Sequence, residues 1–455
     1  MEPKENNNPP HDDKIDSEQD KKTEASKEDP KSLKTEDLEL FANYIQCFKN
    51  KKVNEILTDK KFLELQKAHK FWDTQPIPKP HEITKDIKGA LEKKTIDDIA
   101  KEPVKLPGNF EWVDFDLMRE DHIKEIYDLL YENYVEDDDG FFRFDYSVEF
   151  LRWALLPPGY HKDMYFGIRD AKQNGKLVGF ISGIVVDLIA EKKNFKTTEV
   201  NFLCVHKKYR SFSMASVLIK EVVRRSNLKN IWQGIYTSGT LLPTPIGQAR
   251  YYHRSLNPKK LIDVKFSYLP SNQKISTQQK LFALPEKVDL PEGYIIRPTL
   301  DKDIKQVRKL LCDYLSQFKI HQEYTKKECQ HWFIHRSNII ESYVIEKNGK
   351  ITDFFSFYSL PSSVLQNPHH KSIRAAYSYY FVSTAIDLKK LYECALIKAK
   401  ESGYDVFNVL DIMNNKEVFQ DLLFSGGDGY LNYYLYNWKL EQPLLSPAQI
   451  GIVLM

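Results

Sequence analysis

The sequence predicts an α+β fold made of two tandem halves related by pseudo-twofold symmetry. Residues 110–113 are typical of a strand and precede an amphipathic helix, and residues 294–297 begin the same succession. Each copy then contains two apolar strands joined by Asn-Gly-Lys, at residues 174–176 and 348–350. Asn-Gly between apolar runs is the strongest short-range hairpin signal. The repeated order predicts a duplication, with a seam between the halves where a site could lie.

The 455-residue chain is too long for one average domain, and its composition divides it into four stretches. Residues 1–35 are polar and charged and have few apolar side chains to bury, so they are predicted to be a disordered arm. Residues 36–108 are predicted to be a lead-in, helical at first and extended where prolines follow residue 75. Residues 109–285 and 286–455 are the two predicted halves.

Composition and charge narrow the function classes. The net charge is only +2 and 42% of residues are hydrophobic, so no nucleic-acid partner is indicated. Five cysteines without CxxC spacing argue against a zinc site and against a secreted disulfide scaffold, and no metal site is predicted. The sequence shows neither a signal-peptide pattern nor an apolar run of membrane-spanning length. We therefore expect a cytoplasmic monomer with no integral membrane segment.

The most informative stretch is a predicted strand, turn and helix over residues 199–225. Residues 200–205 are almost continuously apolar, which predicts a strand buried on both faces. Three basic residues between positions 207 and 210 precede Ser211, which is predicted to cap an amphipathic helix. Free N–H groups and the helix dipole at such a turn favour an anion, and the phosphate of a cofactor is the obvious ligand. An ordinary buried strand, turn and helix is the alternative interpretation, and composition alone favours it.

Residues 199–207, Glu-Val-Asn-Phe-Leu-Cys-Val-His-Lys, resemble the first signature of the N-myristoyltransferase family. Phe-Ser-Gly-Gly-Asp-Gly at 424–429, followed by Tyr-Tyr-Leu-Tyr-Asn-Trp at 433–438, is similar to the second. Further matches lie at residues 71–76, 132–137, 142–146 and 253–258. The resemblance implies two acetyltransferase-like (GNAT) halves. It also implies transfer of myristate from myristoyl-CoA, a co-substrate rather than a permanently bound cofactor, to the N-terminal glycine amine of a protein or peptide.

The resemblance assigns the chemistry largely to the backbone. A thioester carbonyl attacked by an amine develops negative charge on oxygen, which two aimed N–H donors can stabilise. In the family these donors are backbone amides, which map to Phe202 and Leu203. The base that removes the proton of the ammonium is, in the family, the terminal carboxylate, here that of Met455. Residues 450–455 are apolar to the end, which predicts a buried last strand; an ordinary sheet strand without catalytic role is the alternative.

The resemblance also implies two binding surfaces. The residues implied for the CoA ester, with the lead-in contributing, are Lys70, Phe71, Trp72, Phe202, Leu203, Cys204, Val205, Arg210, Ser211, Ser213, Met214 and Ala215. The residues implied for the peptide groove are Tyr134, Val135, Asp137, Phe142, Phe144, Tyr146, Asn201, Thr237, Tyr251, His253, Ser356, Tyr380 and Asp428. Among these, Asn201 and Thr237 match the positions that hold the N-terminal glycine. The acidic residues 136–139 suit lysines in the substrate, although a solvated acidic face is the alternative.

Two stretches depart from the family pattern. Family members usually carry a Lys-Arg pair where this chain has Phe212 and Ser213, and the second signature has Ser425 and Gly426 instead of glycine and a larger apolar residue. These changes bear on CoA affinity more than on the reaction. An acyl-CoA-binding or scaffold protein with lost or weakened turnover stays open as an alternative, as does an acyltransferase with another chain length or a lysine acceptor. A ribosome contact through the N-terminal arm also stays open.

Overall fold

The computed structural model describes residues 70–79, 88–137 and 139–455. The predicted disordered arm and the helical part of the lead-in therefore lie outside the described residues. Within the described ranges the α-helices are α1 (Lys70–Asp73), α2 (Glu120–Asn133), α3 (Val148–Leu155), α4 (Met214–Leu228), α5 (Pro258–Asp263), α6 (Ile275–Leu281), α7 (Ile304–Leu315), α8 (Lys326–Phe333) and α9 (Leu388–Glu401).

The strands alternate with these helices along the chain. They are β1 (Phe110–Asp114), β2 (Phe142–Phe144), β3 (Tyr165–Asp170), β4 (Lys176–Ala190), β5 (Lys193–Val205), β6 (Gln233–Ser238), β7 (Gly247–Ser255), β8 (Tyr294–Pro298), β9 (Ile320–Glu323), β10 (Ile340–Lys347), β11 (Lys350–Ser359), β12 (Ser362–Val364), β13 (Ser372–Ile373), β14 (Ala375–Val382), β15 (Val406–Leu410), β16 (Ser425–Tyr436) and β17 (Ile450–Gly451). The predicted α+β fold is confirmed.

One large mixed sheet connects the two halves. Its strand order is β1-β3-β4-β5-β6-β16-β7-β15-β14-β11-β10-β8, while β9 pairs with both β4 and β17 beside this path. A small sheet with the order β13-β12-β2 adds a second connection, because β2 belongs to the first half and β12 and β13 to the second. The candidate site therefore lies on a continuous scaffold that both halves build.

Each half contributes one strand that pairs with a strand of the other half. In the first half β5 and β6 are parallel and β6 pairs with β16; in the second half β14 and β15 are parallel and β15 pairs with β7. The two exchanged strands, β16 and β7, pair with each other at the centre of the sheet. This order confirms the predicted duplication with pseudo-twofold symmetry. The boundary between residues 285 and 286 stays a prediction, since the halves share one sheet.

The two Asn-Gly turns occupy equivalent places in the halves. Asn174 and Gly175 have φ of 53° and 70°, and Asn348 and Gly349 have φ of 51° and 77°. Asparagine and glycine tolerate this left-handed backbone better than other residues, and tight hairpins require it. The first turn joins β3 to β4 and the second joins β10 to β11, as the sequence predicts.

The helices cover the sheet with their apolar faces, which is how each half builds its core. Helix α4 packs Met214, Leu218 and Val222 against Phe166 and Ile181 of the first half. In the second half α9 packs on the sheet in the same manner through Leu391 and Ala395. No helix within the described ranges is long and apolar enough to cross a membrane.

A reciprocal pair of hydrogen bonds joins the halves away from the sheet. The indole Nε1–H of Trp153 in α3 donates to the carbonyl of His331 in α8 (3.2 Å), and Nε2 of His331 lies 2.6 Å from the carbonyl of Trp153. Burial lowers the pKa of His331 to about 4. The neutral ring therefore carries its proton on Nε2 and donates to Trp153.

We expect His331→Ala to destabilise the fold by about 1–3 kcal/mol at pH 7, because it leaves the buried carbonyl of Trp153 without a partner. The neutral form is favoured only in the folded state, so the stability it contributes is present above about pH 6.5 and is lost as the pH falls towards 4. Urea unfolding at pH 7 and pH 5 measures both effects. The exposed His369→Ala is the control, and a deficit that does not shrink at pH 5 would contradict the assignment.

Candidate active site

A cavity of about 1460 Å³ crosses the seam between the halves. Its wall includes Phe202 and Leu203 of the first half and Tyr377 and Met455 of the second. Pockets at such seams commonly hold ligands. The two predicted catalytic elements, the backbone at residues 202–203 and the chain terminus, therefore open into the same space.

The cavity enters the sheet where two parallel strands separate. Strands β5 and β6 pair only from Thr197 to Glu199, against residues 233–235. Beyond this point residues 200–203 and residues 236–238 line the cavity instead of pairing with each other. The separation forms a wedge, bounded on both sides by strand backbone that can hydrogen-bond to a ligand.

A β-bulge lies in the wedge. Strand β4 pairs Phe180 with Cys204 and Ser182 with Asn201, so one residue of β4 faces two of β5, namely 202 and 203. Phe202 has a φ of 54°, which is uncommon for a bulky residue and costs about 1–3 kcal/mol. Its ring is fully buried. The bulge turns the backbone amides out of the regular ladder, which is how a strand can direct N–H groups at a ligand.

Tyrosines surround the bulge on the cavity side. The rings of Tyr134 and Tyr146 lie 5.9 Å and 5.2 Å from the Phe202 ring. Burial raises the pKa of Tyr134, and the Phe202 backbone partly offsets this rise. The bulge is thus enclosed by aromatic side chains that also line the cavity.

Asn201 and Glu199 form a polar pair next to the bulge. The Asn201 Nδ2 donates to the Glu199 carboxyl (2.7 Å), and both side chains are buried. Burial raises the pKa of Glu199 to about 7. Because the amide nitrogen is used in this contact, the amide oxygen of Asn201 is the group that can accept a hydrogen bond from a ligand.

His253 is oriented by a neighbouring amide. Its Nδ1 lies 2.7 Å from Oδ1 of Asn408, and burial lowers its pKa, so the ring is neutral with the proton on Nδ1. The Nε2 atom is left as an acceptor. A Cβ at Gly427 would lie 2.1 Å from Nε2, which explains the need for glycine in the second signature. Residues 427–429 bulge from the pairing of β16 with β7, and this places Asp428 at the cavity.

Helix α1 forms part of the cavity wall. Trp72 is buried and its ring stacks on Tyr236 (5.5 Å), which stacks in turn on Tyr434 (5.0 Å). Lys70 and Phe71 also line the cavity. The three residues of this helix predicted to bind the CoA ester therefore lie together at the wall.

The chain terminus also reaches the cavity. Ile450 and Gly451 pair in parallel with Ile320 and His321 of β9. The predicted last strand is thus shorter than expected, because residues 452–454 are buried without strand pairing. Met455 is half-buried and lines the cavity together with Leu454.

The turn after β5 differs from its prediction. A 3₁₀ helix spans Lys207–Phe212, and Ser213, not Ser211, occupies the N-cap of α4, with a φ of 54° and no side-chain cap. The predicted cap at Ser211 is therefore wrong. Lys207 pairs with Glu136 (2.7 Å), so this cation is already neutralised within the chain. The N-terminal end of α4 nevertheless faces the cavity through Ser213, Ala215 and Ser216.

Several predicted CoA-binding residues do not reach the cavity wall: Cys204, Val205, Arg210, Ser211 and Met214. Cys204, Val205 and Met214 are buried in the hydrophobic core. The Arg210 guanidinium donates to the carbonyls of Asn133 (2.6 Å) and Val205 (3.3 Å), so it stabilises the turn. Core packing or local hydrogen bonds therefore account for Cys204, Val205, Arg210 and Met214, and a contact of these residues and Ser211 with the CoA ester stays a prediction.

Ser356 and Tyr380 are likewise absent from the wall, and both are fully buried. Ser362 and Tyr377 line the cavity instead. The pairing of β14 with β11 contains a bulge, because Ser378 lies opposite Phe357 and Phe381 lies opposite Phe355. The bulge interrupts the alternation of side chains, and Tyr377 and Tyr380 pack in the same hydrophobic core. Neither this bulge nor the role of Asn408, which orients His253, had a signal in the sequence.

The remaining predicted peptide residues line the cavity: Tyr134, Val135, Asp137, Phe142, Phe144, Tyr146, Asn201, Thr237, Tyr251, His253 and Asp428. Two of the predicted acidic residues, Glu136 and Asp137, make contacts within the chain. Glu136 pairs with Arg143 (3.2 Å) as well as with Lys207, and Oδ1 of Asp137 accepts from the Phe142 N–H (2.6 Å). Within the described residues, no group of three His, Cys, Asp or Glu side chains could hold a metal ion.

Comparison with known proteins identifies the family. The family model described as myristoyl-CoA:protein N-myristoyltransferase, N-terminal domain, matches residues 90–249, and the model of the C-terminal domain matches residues 263–453. The chain belongs to the N-myristoyltransferase family.

Relatives agree with this assignment over most of the chain. Glycylpeptide N-tetradecanoyltransferase 1 of Arabidopsis thaliana is 46% identical over 394 residues, which cover 86% of this chain and 90% of the relative. The glycylpeptide N-tetradecanoyltransferase of Dictyostelium discoideum is 46% identical over 392 residues, covering 86% and 93%. A structure of Saccharomyces cerevisiae N-myristoyltransferase with bound myristoyl-CoA superposes with a TM-score of 0.80 at 39% identity, covering 85% of this chain and 95% of that one.

The raised pKa of Glu199 makes stability depend on pH. The folded state favours the protonated carboxyl, so the penalty is absent below about pH 4, develops as the pH rises and is complete above about pH 7. Glu199→Gln can still accept a hydrogen bond from Asn201 but carries no ionisable carboxyl group. We therefore expect its melting temperature, relative to that of the parent, to rise as the pH is raised from 5 to 8. Melting curves across this range measure the difference; a constant difference would contradict the shift. Glu346→Gln, at an ion pair remote from the cavity, is the control.

Proposed function

We propose that this chain transfers myristate from myristoyl-CoA to the N-terminal glycine amine of proteins and peptides. The observation that carries the proposal is that one cavity contacts both the bulge at residues 202–203 and the chain terminus at Met455. A thioester carbonyl and an attacking amine could therefore meet between an anion-stabilising element and a base. We further propose that the protein is a cytoplasmic monomer. Residues 1–35 are a candidate contact with the ribosome.

The wedge between β5 and β6 is the proposed entry for the acyl-CoA. One arm of the cavity lies under α4 and is lined by Val222, Val223 and Ile231, which suits a long saturated chain. The hydroxyls of Thr198 and Ser226 satisfy each other there at 2.8 Å, so this polar pair does not oppose an apolar guest. We assign the myristoyl chain to this arm.

The phosphates of CoA are assigned to the N-terminal end of α4. Its first N–H groups have no side-chain cap, and Ala215 and Ser216 lie at the cavity wall. Lys70 at the end of α1 supplies a nearby cation. Phe212 and Ser213 replace the usual basic pair, and each exposed charge contact contributes roughly 0.3–1 kcal/mol. The proposal therefore includes CoA binding that is weaker than the family norm and still sufficient for turnover.

In the proposed reaction the Met455 carboxylate takes one proton from the glycine ammonium. The amine then attacks the thioester carbon, so that a C–N bond forms and the carbonyl oxygen becomes negative. The N–H groups of Phe202 and Leu203 stabilise this oxygen. The carbonyl then re-forms as the C–S bond breaks, the second proton of the nitrogen passes to the sulfur, and CoA leaves as the thiol while the myristoyl amide remains.

The glycine end of the substrate is assigned to Asn201 and Thr237. The amide oxygen of Asn201 can accept from the ammonium, and both residues line the cavity beside the bulge. The groove beyond them is aromatic, with Phe142, Phe144 and Tyr146 on its wall, and Asp428 adds negative charge. A neutral His253 with a free Nε2 can accept from a peptide N–H or hydroxyl group.

Incubation with myristoyl-CoA and a Gly-Asn-x-x-Ser peptide tests the reaction directly. We expect an acylated peptide by mass spectrometry and none with the matched peptide that begins with alanine, because the proposed glycine selectivity requires a site that excludes a Cβ. Lack of product at saturating acyl-CoA would favour the binding or scaffold alternative. Acylation of a lysine peptide at an equal rate would instead favour the lysine-acceptor alternative.

Removal of Leu454 and Met455 tests the base. We expect turnover to be lost while binding of myristoyl-CoA persists, because the arm assigned to the acyl chain is lined by Val222, Val223 and Ile231 and not by the terminus. Single-turnover acylation and a calorimetric titration measure the two properties. Parental turnover in the truncated chain would show that the terminal carboxylate is not the base.

Phe212→Lys tests the phosphate assignment. The position is exposed, so the fold should tolerate the change, and one restored cation should tighten CoA binding about twofold to fivefold at low salt. The gain should disappear at high ionic strength. The exposed and distant Tyr268→Lys is the control, and an unchanged affinity for Phe212→Lys would mean that this turn does not face the phosphates.

A further inference from the structure

The last residues of the chain leave the sheet before they reach the cavity. Strand β17 ends at Gly451, whose backbone lies so close to Phe318 that a Cβ would be 2.7 Å from the ring. The upstream segment is also fixed, because Lys319 N–H donates to the carbonyl of Gln449 (2.9 Å). Residues 452–455 have no strand partner to fix their direction. Another set of contacts must determine where the terminal carboxylate lies.

Two buried tyrosines make those contacts. The hydroxyl of Tyr433 donates to the carbonyl of Ile452 (3.2 Å), and the N–H of Val453 donates to the hydroxyl oxygen of Tyr380 (3.3 Å). Tyr324 donates to the same Tyr380 oxygen (3.1 Å). All three phenols are fully buried. The peptide group between residues 452 and 453 is therefore held at both its C=O and its N–H, two residues before the terminus.

The tyrosines themselves are fixed by strands. Tyr433 in β16 is paired with Thr237 in β6, the residue proposed to hold the substrate glycine. Tyr380 in β14 is held through its backbone, because its N–H donates to Oγ of Ser356 (3.3 Å). The hydroxyls remain neutral, since burial raises the pKa of Tyr380 to about 12 and that of Tyr433 well above its ordinary value. Tyr380 and Tyr433 are thus two rigid, uncharged hydrogen-bonding groups.

We propose that Tyr380 and Tyr433 are positioning residues that hold residues 452–453 and thereby set the place of the Met455 carboxylate relative to the substrate amine. The inference rests on the proposed function, in which that carboxylate is the base. It also explains why Tyr380 lies behind the cavity wall and not on it. Tyr324 supports the arrangement by holding the Tyr380 hydroxyl in place.

The test uses Tyr380→Phe and Tyr433→Phe in the full chain. Each change removes one hydrogen bond to the terminal segment and keeps the ring. We expect kcat for a glycine peptide at pH 7 to fall on the order of tenfold, because small displacements of a reacting group are costly. The Kd for a non-hydrolysable myristoyl-CoA analogue should stay the same. Tyr392→Phe is the matched control, since Tyr392 is also fully buried and its hydroxyl bonds Asn415 (2.8 Å) and Ser378 (3.3 Å), not the terminal segment.

The pH profile separates positioning from simple destabilisation. An α-amino group has a pKa of about 7.7–8.0, so the peptide amine needs the base less as the pH rises. We expect the kcat defect of both variants to shrink between pH 6.5 and pH 9. A defect that is equal at every pH, or no larger than that of Tyr392→Phe, would overturn the proposal.

The truncated chain without Leu454 and Met455 distinguishes this failure from failure of the proposed function. Loss of turnover on truncation, with parental kcat in both phenylalanine variants, would refute the positioning role alone. Parental turnover on truncation would refute the terminal base, and the positioning role with it. Loss on truncation together with a pH-dependent defect in both variants is the result that the proposal requires.

Discussion

The separation of two parallel strands is the constraint on which the site depends. Strands β5 and β6 pair for three residues and then diverge, so the interior of the sheet opens at residues 200–203. An opened sheet exposes backbone groups that must find other partners. The bulge at Phe202 and Leu203 turns two of these groups towards the cavity, at the cost of a left-handed aromatic residue. Strain of this kind persists where the surroundings enforce it, and here buried rings enclose the Phe202 side chain.

Several charged side chains beside this opening are bonded to other groups of the chain. Lys207 and Arg210, which the sequence places beside the predicted phosphate site, contact Glu136 and backbone carbonyls instead. Groups that titrate near neutrality are buried, so that His253 is neutral and Glu199 holds its proton more tightly than usual. Polar recognition in the proposed site therefore relies largely on neutral hydrogen-bonding groups and on a helix terminus, beside the charged groups of Lys70, Asp137, Asp428 and the chain terminus. Neutral groups avoid the desolvation cost that fixed charges have next to a long acyl chain.

Much of the fold could be predicted because the halves repeat local signals. Hairpins marked by Asn174 and Asn348 and the apolar run before Cys204 depend on neighbours in sequence, and each forms as expected. The site was predicted less completely, since its errors arise where tertiary contacts decide. Ser211 yields the helix cap to Ser213 because a 3₁₀ turn intervenes, and Arg210 is drawn to the carbonyl of Asn133, 77 residues away. Family resemblance transfers positions, but only the structure shows that Tyr380, next to a bulge in β14, contacts the backbone of Val453 and does not line the cavity.

The exchange of β7 and β16 has a consequence for how the chain becomes folded. Strand β16 begins at Ser425 and pairs with β6, which ends at Ser238, so nearly two hundred residues of synthesis separate the two strands. Contacts this distant in sequence slow folding, and an unfinished sheet offers an open edge for misassociation. A nascent first half therefore has its cavity edge unpaired until the second half emerges. Cutting the chain between the halves would leave each fragment with a foreign strand and without its own, so neither fragment would be a free-standing folding unit.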